Sequence, residues 1–249
     1  MRNPLATVAS ALLTLSVVAC AHAQDASSPT TAPASKASEK TFEYVRMTTS
    51  KGPIDILLDR GAAPLTVANF LRYVDEKFYS GTTFHRVMNG FMIQGGGFTA
   101  DGNKKPTHEG VLNEWQNGLK NVRGSISMAR VGGQPNSGTC QFFINVVDNA
   151  GLDRRQRDGA AYAVFGTVVA GLDVVDAIKV VDTGTGRLQG RDAQDVPTET
   201  IMIESVVRLP EAELSDSAKA EASRWKDTYT AARAKVADSQ KRHAAALAA

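Results

Sequence analysis

Two stretches of this chain gather the side chains that could do chemistry. The first is Phe84-His85-Arg86-Val87-Met88-Asn89-Gly90-Phe91-Met92-Ile93-Gln94-Gly95-Gly96. The second is Ser127-Met128-Ala129-Arg130, followed after a polar, Gly-rich loop by Gln141-Phe142-Phe143-Ile144-Asn145. Each combines an arginine, a carboxamide and large apolar residues. An arginine stays charged and presents a rigid fork of donors. Period-two alternation puts Met92 with Gln94 on one face and Gln141 with Phe143 on another, while Cys140, Phe142 and Ile144 point the opposite way, toward a core. The same alternation sets His85 opposite Arg86, so His85 is read as a hydrogen-bonded structural histidine. The four histidines, His22, His85, His108 and His243, show no metal-ligand spacing, and no metal site is expected. Gly95-Gly96-Gly97 lacks the strand-to-helix setting and the lysine of a phosphate loop. Cys140 reads as a small buried apolar residue, not a nucleophile.

Taken in order, these segments resemble the cyclophilin family signature. The likeness continues in Asn121-Val122-Arg123-Gly124, in Leu152-Asp153 and in Tyr162-Ala163-Val164-Phe165-Gly166, and spans roughly residues 41–209. The Ala-Arg pair and Tyr162 resemble the bacterial branch. The resemblance implies a mainly β fold, an eight-stranded antiparallel barrel closed by two helices, with the site on its outer face. It also implies peptidyl-prolyl cis/trans isomerisation in exported proteins, with proline-containing polypeptides as partners. Arg86, Gln94 and Phe143 match the family's catalytic positions, and Phe91, Met92, Arg130, Gln141, Leu152 and Tyr162 its substrate-binding ones. Tyr162 stands where animal members carry histidine. One position departs: Gly151 lies where many members carry a bulky aromatic, in animal members the Trp linked to cyclosporin binding. That departure bears on inhibitor affinity more than on catalysis.

These residue types suit the chemistry. The X-Pro bond resists rotation by about 18–20 kcal/mol because the amide is conjugated. Rotation makes and breaks no bond, so no cofactor is expected. What is needed is a fixed cation beside the nitrogen as it becomes pyramidal and basic, which favours the twisted amide over the planar one. Arg86 fits that need. Gln94 is suited to hold the substrate carbonyl or to orient Arg86, and the Arg130 backbone to pair with an extended substrate. The alternative is a proline-binding chaperone or scaffold module whose catalysis is incidental.

The elements that must carry these residues are short. Strands are predicted at residues 44–47, 54–58, 83–87, 91–94, 125–129, 141–146, 162–169 and 200–209. Gly95, Gly96 and Gly97 should end the fourth, and residues 101–116 should be mostly loop. Pro64-Leu65-Thr66 opens a helix with Thr66 as its cap, and Val67, Phe70, Leu71 and Val74 give it one apolar face to about Lys77. Gly171-Leu172-Asp173 leads into a second helix that ends at Lys179.

The flanks are of another character. Arg2 precedes an apolar run over residues 5–19, which reads as a secretory signal peptide, too short for a membrane span. Two processing sites compete. Ala21-His22-Ala23 would end a leader over 1–23, and Val17-Val18-Ala19-Cys20 would place a lipid on Cys20, the candidate anchor. Either way the domain is exported, periplasmic if soluble or lipid-anchored. Residues 24–40 are rich in Ser, Thr, Ala and Pro and read as a flexible tether. The net charge of +2 carries no basic stripe, so nucleic acid is not an expected partner. The folded isomerase-like domain is placed at 41–209. Residues 210–249 read as a helical extension whose thin stripe is Leu214, Ala218, Trp225, Ala232 and Val236. Packing on the barrel is the expected use of that stripe, with a partner or a second copy as the alternative. A chain ending near Pro210 should then keep its fold.

Overall fold

Alternating apolar residues fold the strands into a closed wall. The computed structural model describes residues 41–247. In chain order the strands are β1 (Phe42–Thr49), β2 (Gly52–Asp59), β3 (Thr82–Met88), β4 (Met92–Thr99), β5 (Ser125–Met128), β6 (Phe142–Asn145), β7 (Val164–Ala170), β8 (Thr183–Leu188), β9 (Arg191–Pro197) and β10 (Met202–Arg208). Eight of them close a barrel in the order β1-β10-β3-β4-β6-β5-β7-β2, every pair antiparallel, and β8 with β9 forms a separate hairpin. Helices α1 (Pro64–Asp75) and α2 (Leu172–Lys179) lay Val67, Phe70, Leu71, Val175 and Ile178 into the core. Phe70 sits at the centre of an aromatic cluster, 5.0 Å from Tyr79, 5.3 Å from Phe165 and 5.8 Å from Phe142, ring centre to ring centre. Burying each such side chain contributes about 1.5–3 kcal/mol.

Three local expectations are corrected. Thr66 does not cap α1; the cap comes from Glu114 in the distant loop, which accepts from Leu65 N (3.1 Å), Thr66 N (2.8 Å) and the Thr66 hydroxyl (2.7 Å). A carboxylate there also meets the positive end of the helix dipole. Nor do Gly95, Gly96 and Gly97 end β4, which runs through them to Thr99. Their bare backbone is needed because other strands lean on it. A Cβ on Gly96, whose φ is +85°, would come within 2.7 Å of the Phe142 ring, and one on Gly97 within 2.5 Å of Gln141. The polar stretch between α2 and β10, where the apolar pattern predicts nothing, forms the β8–β9 hairpin and packs over β3.

The C-terminal extension is a helix, α3 (Asp216–Leu247), and it packs on the barrel. Its stripe is thicker than the sequence spacing implies. Ala222 and Tyr229 join Leu214, Ala218 and Trp225 in one buried cluster with Tyr44, Leu57, Leu119, Val164, Val169 and Leu209. Side chains Ala232 and Val236 lie outside the described ones. The second apolar layer explains the unbroken run in β2: Ile54, Ile56 and Leu58 face the barrel interior while Leu57 faces α3. Polar contacts fix the seam. Glu211 accepts from the Tyr44 hydroxyl and from Lys226, each at 2.9 Å, and Lys226 sits over the rings of Phe42 and Tyr44. Removing everything past Pro210 would uncover this cluster. Among the described residues no helix is long and apolar enough to cross a membrane. The leader, the tether and Cys20 lie outside the described residues.

Candidate active site

Register builds the site. Arg86 on β3 pairs with Gln94 on β4, and Gln94 pairs with Phe143 on β6. A cation, a carboxamide and an aromatic ring therefore stand in one row across three neighbouring strands. The row borders a cleft of about 590 Å³ lined also by Phe91, Met92, Arg130, Gln141, Leu152 and Tyr162. Every substrate-site residue nominated from sequence is in this one cleft. Cys140 is not; it is fully buried in the barrel, where burial pushes its thiol pKa up.

The apolar end of the cleft is held from behind. Phe143 meets Tyr162 edge to face at 5.7 Å. The Arg130 guanidinium stacks on Tyr162 at 4.6 Å and donates to Ala160 O at 2.8 Å. It also pairs with Asp158, with side chains only 3% and 8% exposed. That pairing holds the Asp158 carboxyl below the ordinary carboxylate range. A buried ion pair is tolerable when further hydrogen bonds satisfy it, and Asp158 takes these from Gly133 N and Ala160 N. The Arg130 side chain, nominated only for its backbone, thus fixes the Tyr162 ring. Leu152 sits on a short 3-10 turn (Ala150–Asp153) tied to a buried amide network. Asn121 donates to Asp153 Oδ1 through both its N and its Nδ2, each at 2.9 Å, and Tyr162 N donates to Leu152 O at 3.1 Å. Ser127, Asn145 and Asn149 continue the network. Gly151 faces open space; a Cβ there would meet nothing within 4 Å.

The polar end differs from expectation in two ways. Gln94 Nε2 donates to Gln141 Oε1 at 2.9 Å, and Gln141 lies over the bare backbone of Gly97. Gln94 is therefore bonded to Gln141, while Arg86 meets Asp195, with Nε 3.4 Å from Oδ2, and Met88 Sδ, 3.2 Å from Nη2. His85 does not turn its back on the cleft as strict alternation requires. The β3–β4 register slips between Phe84 and Arg86, and His85 borders the cleft beside Arg86. It is nonetheless packed as a structural residue, 5% exposed and 4.6 Å from the Phe98 ring, although its Nδ1 is buried without the hydrogen-bond partner expected from sequence. Burial lowers its pKa to about 4, so the ring is neutral near pH 7.

Sequence reasoning missed one wall altogether. Phe98 and, from the β8–β9 hairpin, Leu188, Ala193, Gln194 and Asp195 line the cleft. The sequence signal for it was slight, a polar stretch before β10 in which Asp195 is one of several acidic residues. Among the described residues no cluster of His, Cys, Asp and Glu could hold a metal ion. What remains is an apolar slot beside a partly exposed guanidinium, suited to hold a small apolar ring and to stabilise charge developing on an adjacent atom.

Comparison with known proteins places this arrangement. The sequence model described as cyclophilin type peptidyl-prolyl cis-trans isomerase/CLD matches residues 44–208. Peptidyl-prolyl cis-trans isomerase A of Dickeya dadantii (strain 3937) is 51% identical over 166 residues, covering 66% of this chain and 84% of the relative. Peptidyl-prolyl cis-trans isomerase B of Escherichia coli (strain K12) is 52% identical over 160 residues, covering 64% of this chain and 94% of the relative. A solved cyclophilin type isomerase from Cryptosporidium parvum, crystallised in the presence of the dipeptide Ala-Pro, superposes with a TM-score of 0.55 at 25% identity, over 68% of this chain and 100% of the other.

Proposed function

The chain belongs to the cyclophilin-type peptidyl-prolyl cis-trans isomerases, and from that premise we propose that Arg86 drives X-Pro rotation while the slot of Phe91, Met92, Phe143 and Leu152 grips the proline ring. The observation that carries this reading is the cross-strand row of Arg86, Gln94 and Phe143. It sets a guanidinium next to an apolar slot in the same cleft. Holding the ring still turns rotation into movement of the acyl side alone. As the amide twists, its nitrogen loses conjugation, becomes pyramidal and gains a lone pair, and a fixed N–H donor stabilises that lone pair more than the planar amide. Gln141, polarised by its bond from Gln94, faces the same cleft and suits the substrate backbone. Tyr162, braced by Arg130, closes the slot. The Ala-Pro dipeptide of the Cryptosporidium parvum structure supports a small X-Pro unit as the minimal ligand. Exchange NMR on a short Ala-Pro peptide tests this: catalytic amounts of the protein should broaden the cis and trans resonances, and unchanged exchange would reject it.

The clients are exported polypeptides, and the enzyme acts outside the cytoplasm. The apolar run behind Arg2 and the Ser- and Pro-rich tether support this, with either Cys20 lipidated or Gln24 as the mature N-terminus. Intact-mass measurement of protein isolated from its own cells separates the two forms, and a full-length chain starting at Met1 would exclude both.

A further inference from the structure

Arg86 is held at one edge by a residue from outside the barrel. The β8–β9 ladder pairs Gly184 with Val196 and then Gly186 with Ala193, so two residues of β9, Gln194 and Asp195, stand opposite one of β8. That is a bulge, a device that turns a side chain out of the regular alternation. Asp195 takes φ +62°, in the left-handed region that aspartate tolerates better than most residues. Gln194 pins the bulge through hydrogen bonds with Thr185, and Gly186 makes room for Val196, since a Cβ there would come within 2.7 Å of it. The kinked strand brings Asp195 Oδ2 to 3.4 Å from Arg86 Nε.

We propose that Asp195 is a positioning residue, holding the Nε edge of Arg86 so that the guanidinium plane faces the twisting amide; this rests on Arg86 being the electrostatic donor. An arginine side chain 41% exposed has many rotamers open to it, and catalysis needs one. Gln94, the sequence candidate for this task, is bonded to Gln141. The Asp195 side chain is itself 34% exposed, so solvent screens its charge and its effect is directional. Orientation and charge predict opposite signs. A nearby carboxylate acting through charge alone would weaken the cation, and removing it would speed rotation. A carboxylate acting by orientation would slow rotation when lost.

The test is kcat/KM and kcat on an X-Pro peptide for four variants of the full chain. Asp195→Gly keeps the left-handed backbone available and deletes the acceptor. It should lower kcat/KM about two- to fivefold, mainly through kcat, the span of one exposed ion pair. Asp195→Asn keeps an acceptor and suits positive φ, so it should restore most of the rate. In an Arg86→Ala background, adding Asp195→Gly should change nothing further, a result that a merely structural hairpin would not give. Three results would each overturn the proposal: a faster or unchanged Asp195→Gly enzyme, an Asp195→Asn enzyme as slow as Asp195→Gly, or an equal loss with and without Arg86. Normal activity in Arg86→Ala would sink the reading of Arg86, and this proposal with it. A loss in Arg86→Ala with none in Asp195→Gly sinks this proposal alone.

Discussion

Trp225→Ala tests whether α3 is part of the domain. The indole is 7% exposed and lies 4.1 Å from the Tyr229 ring, ring centre to ring centre, in the cluster with Leu57, Val164 and Val169. Truncating a buried tryptophan costs about 3–5 kcal/mol in well-packed cores. Two features lower that figure here. Trp225 Nε1 is buried without a hydrogen-bond partner, so its removal relieves a desolvated donor worth about 1–3 kcal/mol. Besides Tyr229, the α3 residues in its cluster are Ala218 and Ala222, small enough for the helix to settle inward. A loss of about 2–3 kcal/mol follows, which lowers Tm by roughly 5–10 °C for a domain of this size. Thermal and urea unfolding followed by far-UV circular dichroism measures it. A chain ending at Pro210 should lose more, because Tyr44, Leu57, Val164 and Val169 are all uncovered. Loss below about 0.5 kcal/mol in Trp225→Ala, or a truncated chain with unchanged Tm, would refute the argument.

The remaining expectations concern the cleft. His85 is neutral in the fold with a pKa of about 4, against 6.5 when exposed, so between those values the unfolded chain binds the extra proton and stability falls as pH falls. The full effect is roughly 3 kcal/mol, and urea unfolding from pH 7 to pH 4 should show it reduced in His85→Gln; equal pH dependence in the two proteins would contradict it. Gly151→Trp should strengthen cyclosporin binding, because the position opens on free space and the indole adds apolar area and a donor beside the slot. Titration calorimetry reads the change, and tight binding by the unaltered protein would show that other residues already supply the contact.

How far the sequence reaches depends on whether a feature is local. Alternation is local, and it placed Gln94 with Met92, Phe143 with Gln141, and Phe142 in the core. The row across β3, β4 and β6 needs only that alternation plus correct pairing, so the resemblance and the residue pattern lead to the same cleft. Alternation failed at His85 because a register slip interrupts β3. Other misses are non-local. Glu114 caps a helix 48 residues away from it along the chain. The three glycines of β4 are shaped by Phe84 and Ile203 at Gly95, Phe142 and Tyr79 at Gly96, and Gln141 at Gly97, none of which is a sequence neighbour. The β8–β9 hairpin has no apolar stripe, since it is built mostly from Thr, Gly, Arg, Gln and Asp with only one face against β3, and Asp195 was hidden with it. The α3 stripe was read as thin because Ala222 and Tyr229 gain their meaning only from the outward-facing side of β2 and β7.

The central claim is that Arg86 supplies most of the rate enhancement, and one measurement meets it directly: kcat/KM of Arg86→Ala on an X-Pro peptide, by exchange NMR, with circular dichroism to establish folding. Arg86 is partly exposed on the outer face of the barrel, so the variant should fold normally. Deleting a single transition-state donor typically costs about 10²–10³ in rate, and Arg86→Lys should recover little because the planar fork is lost. A folded Arg86→Ala protein with near-normal kcat/KM would contradict the account.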